Sequence, residues 1–154
     1  MTRYRPAILA GIALVTLAAT SASPSADDVQ ALVTRAAAYI RQYGQEQAFR
    51  DFTRPDGGFV VGELYIFCND DHGVVLAHGG NPKLLGKSLF PIRDAEGKQP
   101  IQELNAIAHA AGQGWLEYLW PNPETGRIQH KVSYVVEVDK QTFCGSGYYK
   151  PETP

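Results

Sequence analysis

Lys131 opens a strand-forming run, Lys131-Val132-Ser133-Tyr134-Val135-Val136, and is the residue of this chain best suited to hold an anion. Strand alternation puts Lys131 and Ser133 on one face and Val132, Tyr134 and Val136 on the other. An inward lysine needs a counter-charge, because an unpaired buried charge is costly, whereas an outward one is an ordinary solvated lysine. His78 ends a second apolar run, Val74-Val75-Leu76-Ala77-His78. It is either a neutral structural histidine or, when protonated, a donor to an anionic ligand. Trp115 and Tyr118 lie in the aromatic stretch Trp115-Leu116-Glu117-Tyr118-Leu119-Trp120. There Trp115, Glu117 and Leu119 alternate with Leu116, Tyr118 and Trp120, so a pocket takes only one set. Tyr118 brings a hydroxyl as well as apolar area, which suits a site that fixes a small polar molecule.

Signatures of catalysis are scarce. The chain has no glycine-rich phosphate loop, no C-x-x-C, no H-E-x-x-H and no Gly-x-Ser-x-Gly elbow. Ser146, between Gly145 and Gly147, sits in a strand pattern where glycines mark close backbone approach rather than a nucleophile. His72 beside Asp70 and Asp71 reads as solvated turn chemistry, His109 as a residue near a helix C-terminus, and His130 as exposed. No catalytic residue, metal or cofactor is expected.

At 154 residues, with 44% hydrophobic and 19% charged, the chain suits one globular domain. Residues 1–22 read as a secretory signal peptide: Arg3 and Arg5 in front, an apolar run from Ala7, and Thr20-Ser21-Ala22 as the small-residue site. Cleavage is expected near Ser23, with an uncleaved membrane anchor as the alternative. Removing Arg3 and Arg5 from 14 basic residues leaves 12 against 16 acidic, a net charge of −4. With no basic stripe, nucleic acid is not an expected partner. Two cysteines, Cys68 and Cys144, in an exported chain favour a disulfide over two buried thiols. Each lies in a strand pattern, so they meet only if those strands are neighbours.

The elements that must position these groups follow from periodicity. Asp27 or Asp28 caps a helix whose stripe of Val29, Leu32, Val33, Ala36, Ala37 and Ile40 continues past Gly44 to about Thr53. A loop at 54–58 precedes a strand over 64–68, a turn over 69–73 and a return strand over 74–78. Residues 83–93 are irregular, anchored by Leu84, Leu85, Leu89 and Phe90. Ile101, Leu104, Ile107 and Ala108 mark a second helix, stopped near Gly112, and strands over 114–120, 130–138 and 141–149 close the chain. Five antiparallel strands with helices to one side make an α+β domain over 27–150.

Several segments together resemble a single Cache domain of the type-two class, a PAS-like extracellular sensor module of bacteria. They are Glu46-Gln47-Ala48-Phe49, Tyr65-Ile66-Phe67, Val75-Leu76-Ala77-His78, Asn81-Pro82-Lys83-Leu84-Leu85-Gly86-Lys87, Asp94-Ala95-Glu96-Gly97-Lys98, Gly114-Trp115-Leu116-Glu117-Tyr118, Asn122-Pro123, Lys131-Val132-Ser133-Tyr134 and Gly145-Ser146-Gly147-Tyr148-Tyr149. The likeness runs from about 31 to 150. It implies a long N-terminal helix against a five-stranded antiparallel sheet, with the ligand between sheet and crossover. It also implies neighbouring first and last strands, which would bring Cys68 within reach of Cys144. The implied ligand is a small organic molecule, with a short carboxylate favoured. The implied pocket positions are Tyr65, His78, Trp115, Tyr118 and Lys131, with Phe59 and Tyr134 as secondary ones. In this reading Lys131 and His78 take the anionic end, while Trp115 and Tyr118 enclose the apolar part.

Receptors of this class join the module to membrane helices and an output domain, and neither pattern follows in these 154 residues. The expectation is therefore a periplasmic or secreted binding module that presents its ligand to a membrane-bound receptor or transporter. The alternative is an accessory subunit or enzyme of a periplasmic redox or transport complex that uses the same fold as a scaffold. The missing nucleophile–base set favours binding.

Overall fold

The structure is a computed structural model and describes residues 23–151; the signal peptide expected over 1–22 lies outside the described residues. Helix α1 (Ala26–Tyr43) starts at Ser25 rather than at either aspartate. The Ser25 hydroxyl accepts from the Asp28 amide, and the Asp28 carboxylate accepts from the Ser25 amide at 2.8 Å, so Asp28 sits in the first turn as the other half of a capping box. Gly44 ends the helix. Its backbone (φ 80, ψ 161) is non-helical, and α2 (Gln45–Thr53) starts afresh beyond it, where a continuous apolar stripe predicts one helix.

A short hairpin of β1 (Val60–Val61) and β2 (Leu64–Tyr65), absent from the sequence reading, turns at Gly62-Glu63. Two residues per strand are too few to show a period. The main sheet contains β3 (Phe67–Asp70), β4 (Val75–His78), β5 (Gln113–Pro121), β6 (Ile128–Asp139) and β7 (Thr142–Tyr149), in the order β4-β3-β7-β6-β5 with every pair antiparallel. The first and last of these strands are neighbours, and their register sets Cys68 opposite Cys144. The two are joined by a disulfide across a Cα separation of 4.1 Å.

The faces of the sheet do different work. Val29, Leu32, Val33, Ala36 and Ile40 of α1 pack with Ile66, Cys68, Tyr134 and Cys144 on one side. On the other, α3 (Pro100–Ala111) lays Ile101, Leu104 and Ala108 against Phe67, Tyr118, Val135 and Phe143. The crossover between β4 and α3 covers the rest of that second face. It begins with a 3-10 turn at Pro82–Leu84 and buries Leu89, while Leu85 is exposed. Its loop is stitched to the sheet at both ends. The Val75 amide donates to Lys87 O and the Gly86 amide to Val75 O, while the Leu119 amide donates to Asp94 Oδ2 and Lys98 Nζ to Glu117 O. Burial works against the Asp94 carboxylate. Hydrogen bonds from the amides of Leu119, Lys98 and Glu96 more than offset it and hold its pKa below the ordinary value.

Candidate functional site

Lys131 is completely buried, on the face of β6 that looks toward α3 and the crossover. Its Nζ donates to Tyr65 Oη at 2.7 Å and lies 3.9 Å from the centre of the Tyr65 ring, 5.2 Å from Tyr149 and 5.3 Å from Phe67. Aromatic faces attract a desolvated ammonium but do not neutralise it. Among the described residues no carboxylate forms an ion pair with Lys131. Burial drives its pKa well below that of a free lysine, and the more distant charge of Glu63 opposes the shift only in part. Glu63 is itself committed, accepting from the Tyr149 amide and the Asn122 side chain.

The local sequence makes room for this side chain. Tyr118 and Tyr149 are its direct cross-strand partners, so all three share one face. At Gly147 an added Cβ would overlap the Ser133 hydroxyl and stand 2.9 Å from Lys131 Cε. Ser133 in turn shares a 3.0 Å hydrogen bond with the Tyr118 hydroxyl. The Tyr65 and Tyr149 hydroxyls are 3.2 Å apart, and Tyr149 donates to Pro121 O at 2.7 Å. Burial raises the pKa values of Tyr65, Tyr118 and Tyr149, so all three are neutral phenols and hydrogen-bond donors at physiological pH.

His78, at the end of β4, is buried with its ring 4.9 Å from that of Tyr65. Burial, reinforced by the charge of Lys131, lowers its pKa to about 3. Its Nδ1 accepts from the Asn81 amide at 2.9 Å, so the proton of the neutral ring is on Nε2. Both features describe a neutral imidazole with one free donor, Nε2–H.

These groups surround two adjacent spaces. An inner chamber of about 10 Å³ is walled by Lys131, Tyr118, Tyr65, His78, Phe67 and Trp120 among others. An outer cleft of about 510 Å³ opens between the crossover and the end of β5. The cleft is far larger, yet the ionic chemistry belongs to the chamber, because Lys131 and Tyr118 line only that one. Tyr65, His78, Leu89 and Trp120 line both and form the partition.

Of the residues singled out in the sequence, Tyr65, His78, Tyr118 and Lys131 are brought together, and Trp115 is not. Trp115 lies on the α1 side of the sheet, 5.0 Å from the Tyr134 ring and 36% exposed. Phe59 and Tyr134 likewise belong to the α1-side core. Alternation along β5 decides this: the face that carries Tyr118 carries Trp120, which takes the place expected of Trp115. Trp120 was legible by this rule as the second neighbour of Tyr118, whereas Tyr149 needs the register of β7 on β6, which sets it opposite Lys131. Ser146, paired with Tyr134, also faces away from the chamber.

A long helix backing a five-stranded antiparallel sheet, with a crossover roofing its other face, is an architecture of the PAS-like kind. A Cache domain profile matches residues 46–149, and the chain belongs to the Cache domain family. Over 86 residues it is 36% identical to the sensor histidine kinase MctS of Rhizobium johnstonii, and over 71 residues 34% identical to the methyl-accepting chemotaxis protein McpP of Pseudomonas putida. Those alignments take in 55% and 46% of this chain but only 18% and 13% of the relatives. Among solved structures, a methyl-accepting chemotaxis protein from Vibrio parahaemolyticus superposes with a TM-score of 0.71 at 20% identity, covering 80% of this chain and 86% of the other. A Cache chemosensory domain described for its carboxylic acid recognition superposes at 0.69 with 26% identity, covering 81% and 92%. These relatives are parts of signalling receptors. Among the described residues no helix is long and apolar enough to cross a membrane.

Proposed function

We propose that this chain is an exported binding module for a small organic acid, with one carboxylate oxygen reaching Lys131 through the inner chamber. The observation that carries this reading is a completely buried lysine with aromatic neighbours and, among the described residues, no carboxylate paired with it. A bound carboxylate supplies the missing charge through a short charge-assisted hydrogen bond. In this reading Tyr65 orients the ammonium, the Nε2–H of His78 and the Tyr118 hydroxyl donate to the ligand, and Trp120 covers it. The neighbour known for carboxylic acid recognition supports the ligand class. In this reading the site binds and does not transform, in keeping with the signalling proteins among its relatives. Residues 1–22 direct export to the periplasm, and the loaded domain is presented to a membrane-bound signalling or transport partner. The test is calorimetry of the mature protein against a panel of small carboxylates, amines and neutral amides. The carboxylates alone are expected to bind, and binding confined to amines or amides would overturn the assignment.

A further inference from the structure

The outer cleft has no role in holding a carboxylate, yet it is the larger space by far. The inner chamber, at about 10 Å³, is near the lower limit for a single water, so it admits one polar atom of a ligand's head and no more. Whatever is attached to that head must pass the partition of Tyr65, His78, Leu89 and Trp120 and continue into the cleft.

The chemistry of the cleft is apolar. Leu84, Leu89, Ile92, Trp120, Pro121 and Ile128 make up much of its wall. Ile92 and Ile128 are 44% and 58% exposed there, apolar surface that a bound chain would remove from water. The polar side chains of the wall are already engaged. Asp94 accepts from the amides of Glu96, Lys98 and Leu119, and Arg93 donates to Gly97 O. Asn81 Oδ1 accepts from the Lys83 amide, and Asn122 is bonded to Glu63 and the Glu124 amide.

We infer that the outer cleft is a tail subsite, so that a monocarboxylate whose alkyl chain is long enough to enter the cleft is preferred over acetate and propionate, each buried methylene adding to affinity. This inference rests on the carboxylate reading of Lys131. One cation at the closed end and a largely apolar wall at the open end favour a single charge on the ligand, with Arg93 at the rim as the one group that could receive a second.

The test is calorimetry on the mature protein with acetate, propionate, pentanoate, hexanoate and octanoate, with adipate and 1-hexanol as controls. Affinity is expected to rise about threefold to fourfold per methylene from propionate to hexanoate, the value for burying a CH2 group. Adipate and hexanol are expected to bind more weakly than hexanoate. Ile128→Glu, at an exposed position, is expected to shrink the hexanoate-to-propionate affinity ratio at least tenfold. Propionate binding with no gain on chain extension would overturn the tail subsite while leaving Lys131 as the anion site. Adipate binding tighter than hexanoate would overturn it in favour of a second cationic contact at Arg93. Failure of every carboxylate to bind would overturn both readings.

Discussion

Replacing Lys131 with methionine separates a ligand-binding lysine from a structural one, because the two roles predict different pairs of results. In the unliganded protein the substitution removes a hydrogen bond to Tyr65 and the contacts with three aromatic rings. Those losses amount to about 1.5–3 kcal/mol for the charged hydrogen bond and about 2 kcal/mol for a desolvated cation–π contact. Against them stands relief of the several kcal/mol needed to keep an ammonium out of water. The terms have opposite sign and similar size, so unliganded stability should change by no more than about 2 kcal/mol in either direction. Ligand binding has no such compensation. Loss of a bond to a charged group weakens it by about 1.5–3 kcal/mol, on the order of 10- to 150-fold. A carboxylate at 100 times its wild-type dissociation constant stabilises the wild type by about 2.7 kcal/mol and the variant by only about 0.3–1.3 kcal/mol. In a thermal melt this reads as a ligand-induced shift of about 10 °C against about 1–5 °C. Equal shifts in the two proteins would refute the placement of the anion at Lys131.

Three further outcomes follow from the same geometry. Gly147→Ala crowds Lys131 Cε and the Ser133 hydroxyl. It should cost carboxylate affinity at least tenfold by calorimetry, and unchanged affinity would show that the chamber yields freely. Reducing the Cys68–Cys144 disulfide, which spans 76 residues, should lower unfolding free energy by about 4 kcal/mol in the chain-entropy model. Urea denaturation with and without reductant reads the loss, and coincident curves would contradict it. For His78 the folded pKa of about 3 lies below the unfolded value, so the unfolded chain binds more protons between the two and stability falls as pH drops below about 6.5. At pH 5 the loss is about 2 kcal/mol relative to pH 7. His78→Gln should flatten that part of the stability–pH curve, and an unaltered slope in the variant would refute a buried neutral imidazole.

Much of this architecture was legible because long elements repeat their period many times. The α1 stripe, the stop at Gly112 and strands β5 to β7 all stand within a few residues of their expected bounds. What the sequence concealed was local. Gly44 is compatible with a helical pattern yet takes a positive φ, and Ser25 outcompetes two aspartates as a cap because Asp28 can answer it from the first turn. The inward direction of Lys131 could not be read from its own strand, where both faces carry strand-forming residues. It depends on Gly147 across the ladder leaving space for the lysine stem. Trp115 failed for the opposite reason. The family resemblance implied a pocket position for it, whereas alternation, which holds along the whole of β5, assigns it to the face away from Tyr118.

The stitching of the crossover to the sheet also bears on how this molecule behaves at high concentration. β4 and β5 are the two rims of the sheet, and an exposed rim is a template on which another chain can add a strand. Here the backbone of Val75 is already paired with Lys87 and Gly86, while a carboxylate from Asp94 and an ammonium from Lys98 occupy outward-facing groups of Leu119 and Glu117. The loop that roofs the cavity thus also guards both margins against cross-molecule β-addition, so solubility and ligand enclosure depend on the same dozen or so residues of chain.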